Sequence, residues 1–324
     1  MPLSIRIILL IATTIYQAIA CYLENQKPPP GKLFDVGGYH LHLYTAGEAN
    51  QTIIIEHSLG GIEGYFLVEK LAKLGRVCIY DRAGYGWSEH SPHPRNSSQI
   101  VEELDTLLTK AKIKPPYILV GNSFGSYNVR LYAHRFPEKV IGMVFTDALY
   151  ETGMLKMPLQ LQGLKLFFIS GFIMSTFGSI LGIIQLFRKC GIFEFIKPEL
   201  RQFSQESRNY VKRSFCRSKH WITMCREMLN LNNSGNQVTI ANQFDSMPIV
   251  SIKANSFFKP SLWSFLTPLK AANQLREKMH KDISNLSTNF VQLQANKSGH
   301  FVWIDEPEII VDAVKIILDK LYNK

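Results

Sequence analysis

A serine that attacks a carbonyl carbon needs three things: an exposed hydroxyl, a base to take its proton, and donors for the oxyanion that forms. Gly121-Asn122-Ser123-Phe124-Gly125 has the G-x-S-x-G spacing. It follows the apolar run Tyr117-Ile118-Leu119-Val120 and precedes a segment with helical spacing. A tight strand-to-helix turn at that point strains the serine and presents its hydroxyl, and it needs small residues two positions to either side. Ser123 is therefore the candidate nucleophile. Of nine histidines, His300 is the candidate base. It stands in "NKSGHFVWIDEP", after the last apolar strand pattern and before the last helical one. That position is the carboxyl edge of a strand, where parallel sheets place their ligands. His134 lies on the helix after the serine turn and is read as structural, and His57 as shaping a turn. The expected oxyanion donors are the backbone N–H groups of Phe124, directly after the serine, and of Leu59 in His57-Ser58-Leu59-Gly60-Gly61.

The elements that must carry these residues can be read from periodicity. "KLFDVGGYHLHLYTAG" alternates around Gly37-Gly38 and predicts a hairpin. "TIIIEH", "GRVCIYD", "YILVGN" and "VIGMVFTDA" are short apolar runs, as expected of strands buried on both faces. Helical spacing separates them in "GIEGYFLVEKLAKL", "SSQIVEELDTLLTKAKI" and "FGSYNVRLYAHRFP", with Ser98 the expected cap of the second helix. The rhythm resumes late with "MPIVSIKAN", "LTPLKAANQLREKMH", "NFVQLQAN" and "EPEIIVDAVKIILDKLY". Alternating strands and helices predict an α/β fold with a mostly parallel sheet and helices on both faces.

Residues 150–240 break this rhythm with helical runs and no buried-strand pattern, which predicts a helical cap inserted into the sheet domain. The expected organisation is an N-terminal membrane anchor or signal segment at 1–24, a Pro-rich spacer at 25–31, core at 32–149, cap at 150–240 and core again at 241–324. Ile7 to Leu23 is seventeen residues without a charge. It reads as an uncleaved anchor, a signal peptide cut after Ala20, or a lipoprotein signal at Cys21. In the cap, "LQLQGLKLFFISGFIMSTFGSILGIIQLF" carries one charge, Lys165, in 29 residues. It is read as cap helices, because a second span would separate the two halves of one sheet.

The formal net charge is +10. Residues 151–235 hold twelve Lys and Arg against five Glu. No RNP-type, zinc-finger or basic-zipper pattern accompanies that excess, so no nucleic-acid partner is expected. An anionic membrane surface fits better. The five cysteines are scattered, with no CxxC and no zinc-ligand spacing, so no metal is expected.

Taken together, these motifs resemble the α/β-hydrolase superfamily over about residues 30–324. "HSLGG" is similar to its HGxGG oxyanion loop, "YDRAGYGWS" to its DRxGxGxS stretch, "GNSFGS" to its GHSxGG elbow, and "SGHFVWIDEPE" to its closing histidine loop. "PPPGKLFDVGGYHLHLYTAGE" after an apolar helix further resembles membrane-anchored, mostly bacterial members of unassigned substrate. The resemblance implies that Asp81 and Arg82 hold a loop rather than catalyse. Ser58, Asn122 and Ser126 depart from the family pattern, which has Gly, His and Gly there.

The third member of the triad is the larger departure. An Asp or Glu must orient the imidazole. The family often supplies an Asp after the strand read here as "PIVSIKAN", but "SFFKPSLWSF" follows it with no carboxylate. Members lacking that Asp can take it from the end of the preceding strand, which points to Asp147. Asp282, Asp245 and Asp305 remain alternatives. The order Ser123, Asp147, His300 fits Ser…Asp…His. The expectation is a serine hydrolase of an ester with an apolar acyl group, without a cofactor and held at the membrane by its N-terminal segment. The rival is a non-catalytic, membrane-held binding protein that uses the same pocket.

Overall fold

A computed structural model describes residues 2–48, 50–257 and 268–322. The chain opens with a long helix, α1 (Leu3–Asn25), and a hairpin of β1 (Lys32–Asp35) and β2 (His40–Ala46). Asp35 Oδ1 accepts from both Gly37 and Gly38 N–H, which closes the turn. Then follow β3 (Thr52–Glu56), α2 (Val68–Leu71), β4 (Arg76–Asp81), α3 (Ser97–Lys110), β5 (Tyr117–Asn122), α4 (Gly125–Arg135) and β6 (Val140–Thr146). A run of helices intervenes: α5 (Glu151–Leu155), α6 (Leu159–Ile180), α7 (Ile183–Lys189), α8 (Ile192–Ile196), α9 (Gln205–Phe215), α10 (Ser218–Leu229) and α11 (Leu231–Val238). The chain ends with β7 (Ile249–Ala254), α12 (Leu269–Ile283), β8 (Phe290–Ala295), α13 (Val302–Asp305) and α14 (Pro307–Tyr322).

The strands form one sheet in the order β1-β2-β4-β3-β5-β6-β7-β8. Pairing is antiparallel for β1/β2 and β2/β4 and parallel from β4 onward. This is the α/β-hydrolase fold. Ile53, Ile54 and Ile55 of β3 are all buried, as a strand covered on both faces requires. On one face α3 contributes Ile100, Leu104 and Leu107 at helical spacing, beside Val129 of α4. On the other, α14 contributes Ile310, Val314 and Ile317. Each such side chain, fully buried, adds roughly 1.5–3 kcal/mol.

Two local expectations are corrected. The side chain that caps α3 is Asn96, whose Oδ1 accepts from Gln99 N–H at 3.1 Å. The helix starts earlier than its polar run suggests, so Ser98 sits in the first turn, where its Oγ accepts from Arg135. The segment between β3 and β4 is not one helix but a 3₁₀ turn at Glu63–Phe66 followed by the short α2. Glu63 turns back to accept from Ser58 N–H at 2.6 Å, and Gly64 N–H donates to His57 Nδ1, which ties the segment to the preceding loop.

The helices between β6 and β7 lie over the carboxyl ends of the strands and are bolted there by a buried ion pair. Arg82, at the end of β4, donates through Nε and Nη2 to Glu227 of α10, through Nη1 to Glu56 of β3, and to the His57 and Ser58 carbonyls. All three charged side chains are fully buried. A buried charge keeps its ionised form only when paired in this way.

Candidate active site

Ser123 follows β5 and Asp147 follows β6, adjacent parallel strands, so both stand at the carboxyl edge of the sheet. Each is tied to the next strand: Ser123 N–H donates to Thr146 O and Asp147 N–H to Ile252 O. Both have positive φ, 49° and 41°. Non-glycine residues held in that region cost on the order of 1–3 kcal/mol. The G-x-S-x-G spacing has a steric cause. A Cβ at Gly125 would collide with the Glu56 and His57 carbonyls, and one at Gly121 with Val129 and the Gly125 carbonyl.

His300, in the loop between β8 and α13, reaches both residues. Its Nε2 lies 2.9 Å from Ser123 Oγ and its Nδ1 2.5 Å from Asp147 Oδ2. With Asp147 ionised, Nδ1–H donates to the carboxylate, which leaves Nε2 to accept the serine proton. Phe257 stacks on the His300 ring at 5.0 Å, and Phe301 and Trp303 pack against its edge. His57 is committed elsewhere: Nδ1 accepts from Gly64 N–H, so Nε2–H donates to Tyr80 O. His134 is exposed on α4.

Two residues that sequence reasoning did not single out complete the surroundings of Asp147. Arg276 of α12 donates through Nη2 to Oδ1 at 2.5 Å and through Nε to Oδ2 at 3.2 Å. His280, one turn on, places Nε2 3.2 Å from Oδ1, and Ala254 N–H donates to the same oxygen. Burial alone would push the Asp147 carboxyl up. The hydrogen bonds of His280 and His300 and the nearby His300 and Arg276 charges outweigh it and hold the group well below the usual carboxylate range. The spacing of Arg276 and His280, i and i+4, puts both on one helix face. That was the available signal, but it does not say what the face meets.

The other candidate acids lie in other surroundings. Asp282 accepts from Thr152 Oγ1, and Asp305 from Lys197 Nζ and Gly299 N–H. Asp245 sits in a turn where its carbonyl accepts from Thr288. Residues 258–267, which include 258–265 of the stretch read as lacking a carboxylate, are outside the described residues.

Among the described residues, neither Leu59 nor Phe124 N–H donates to a protein acceptor. The Leu59 loop is held from below. Glu63, beneath it, accepts from Ser58 N–H and from Asn122 Nδ2 at 3.3 Å. Burial opposes its charge, but the bond from Ser58 N–H favours it, and the Glu63 carboxyl lies down at about 2. The departures from the family pattern thus have partners. Ser58 offers only its backbone to Glu63 and Arg82, Asn122 leans on Glu63, and Ser126 Oγ donates within its own turn, near the Ser123 and Leu149 carbonyls.

Comparison with known proteins agrees with the architecture. The Bacillus subtilis protein YqjL is 24% identical over 282 residues, which cover 86% of this chain and 88% of YqjL. The Bacillus subtilis protein YbdG is 29% identical over 121 residues, 36% of this chain but only 37% of YbdG's length. The crystallised epoxide hydrolase CorEH superposes with a TM-score of 0.66 at 14% identity, covering 90% of this chain and 98% of its own. A family model described as alpha/beta hydrolase fold matches residues 51–224. That match takes in the Leu59 loop, the Arg82 stretch and the Ser123 turn, more than half of the 324 residues, and the chain belongs to the α/β-hydrolase family.

Proposed function

We propose that this chain is a serine hydrolase that transfers an acyl group to water, with Ser123 as nucleophile, His300 as base and Asp147 as the acid that orients it. The observation that carries the reading is the continuous relay from Ser123 Oγ through the His300 ring to Asp147, with the serine on a positive-φ turn. His300 Nε2 takes the hydroxyl proton as Oγ attacks the carbonyl carbon. The Leu59 and Phe124 N–H groups stabilise the oxyanion. The tetrahedral adduct collapses as His300 returns the proton to the leaving alcohol. A water, deprotonated by the same nitrogen, then releases the acyl group.

An ester with an apolar acyl chain is the proposed substrate class, supported by the aromatic rings around His300 and by the apolar helix α6 of the insert. Residues 150–240 act as the cap that shapes this pocket. The N-terminal α1 holds the protein at a membrane, a reading supported by its length, its composition and its almost wholly exposed surface.

A fluorophosphonate probe tests the assignment. Wild type labels and Ser123→Ala does not. Equal labelling of the two would remove the nucleophile from this serine. On short p-nitrophenyl esters, Asp147→Asn loses about 10⁴ in kcat, as a misoriented imidazole does, while Asp282→Asn stays near wild type. The reverse order would move the acid to Asp282.

A further inference from the structure

Where α1 meets the cap, a cavity of about 370 Å³ is lined by Gln17 and Cys21 of α1, Ile180 of α6, and Arg213, Arg217 and Lys219 around the α9–α10 corner. It shares no residue with the Ser123 site. Its charge is unbalanced. Glu24 accepts from Arg188 at 2.5 Å and from Arg217 at 2.8 Å, and it stands 3.9 Å from Arg213. Among the described residues no other carboxylate comes within 4.0 Å of these three arginines, and none comes that close to Lys219. Lys219 Nζ donates only to the Ser88 carbonyl, and the Nε groups of Arg213 and Arg217 are buried without a hydrogen-bond partner. Burial first, and then the neighbouring Arg213, bring the Lys219 amine down to about 8 against the opposing pull of Asp81 and Glu89. Ser218 and Lys219, in the first turn of α10, also line the cavity.

The walls say where the missing anion comes from. α1 is 23 residues long, about 35 Å of helix against a hydrocarbon core of about 30 Å. Ile8, Ile11, Ile15 and Ile19 are exposed along it. On α6, Ile173, Met174, Phe177 and Ile180 are exposed. α1 packs against the inserted helices at two points: a Cβ at Gly182, just after α6, would strike the Thr13 carbonyl, and Gln17 Nε2 donates to the carbonyl of Cys216, just after α9, at 2.6 Å. Any bilayer that takes up α1 therefore also meets α6, with the cationic cavity between them.

We propose that this cavity binds the phosphate-bearing headgroup of an anionic phospholipid, whose acyl chains lie along the exposed faces of α1 and α6. A phosphate supplies the charge that Lys219 and the three arginines sharing Glu24 lack, and the adjoining apolar faces select a lipid over a soluble phosphate.

The full-length chain in an uncharged detergent tests this. Thermal unfolding is followed while dihexanoyl phosphatidic acid, dihexanoyl phosphatidylcholine or inorganic phosphate is titrated. Phosphatidic acid is expected to raise Tm in a saturable way, at lower concentration than either of the others. Lys219→Gln and Arg217→Gln each weaken that response about five-fold, and Lys315→Gln, at an exposed position of α14, leaves it unchanged. Lys219→Gln alone decides if Arg217→Gln fails to fold. An equal shift with phosphatidylcholine overturns the site. An equal shift with inorganic phosphate replaces the lipid with a soluble anion. An unaltered response in Lys219→Gln moves binding elsewhere. The outcome is independent of Ser123, since fluorophosphonate labelling reads that site separately.

Discussion

Asp147 carries more counter-charge than an acid that only orients an imidazole requires. Arg276 takes both carboxylate oxygens, so His300 shares the negative charge with a permanent cation. If His300 is the base, Arg276 bears on it through the carboxylate that both hold. Arg276→Gln, which loses the charge and one arm of the fork, should lower kcat on p-nitrophenyl esters about ten-fold with KM near wild type. An unchanged kcat would make Arg276 a scaffold alone. The residues of the relay were legible because each sits in a local pattern: a G-x-S-x-G turn, a histidine in the last strand-to-helix loop, an Asp at a strand end. Arg276 and His280 were not, because their role depends on which face of α12 meets the β6–β7 edge, and that is decided by packing. Glu63 escaped for a similar reason, since it curls back on its own loop where the spacing reads as helix.

At the scale of elements, strands were easier to read than helix ends. β3 to β6 are continuous apolar runs and lie where the sequence puts them. The start of α3 was misread because Asn96, Ser97 and Ser98 all have capping side chains, and only the backbone angle at Asn96 decides among them. Asn96→Ala should therefore cost about 1 kcal/mol in denaturant unfolding, while Ser98→Ala costs less on this account. Equal losses would return the cap to Ser98. α6 was read as a cap helix from topology, and it does intervene between β6 and β7. Its exposed Leu166, Phe167, Met174 and Phe177 are a property that no soluble cap requires.

For the whole molecule, the inserted helices and the sheet domain are joined at a buried point. Glu227 is one side chain of α10, yet it accepts from Arg82 and Tyr85 and lies 3.5 Å from the Gly60 N–H of the Leu59 loop. Withdrawing the inserted helices would leave Arg82 charged and short of its partner, at a cost of about 3–5 kcal/mol. That penalty makes partial unfolding expensive. In calorimetry the insert and the sheet are therefore expected to melt in a single endotherm, and Glu227→Gln to split off a shoulder at lower temperature. Two endotherms in the wild type would mean that the insert melts on its own. An inserted segment would ordinarily be the first part of a chain to loosen on heating. Here a buried carboxylate of the insert is held by the sheet domain itself.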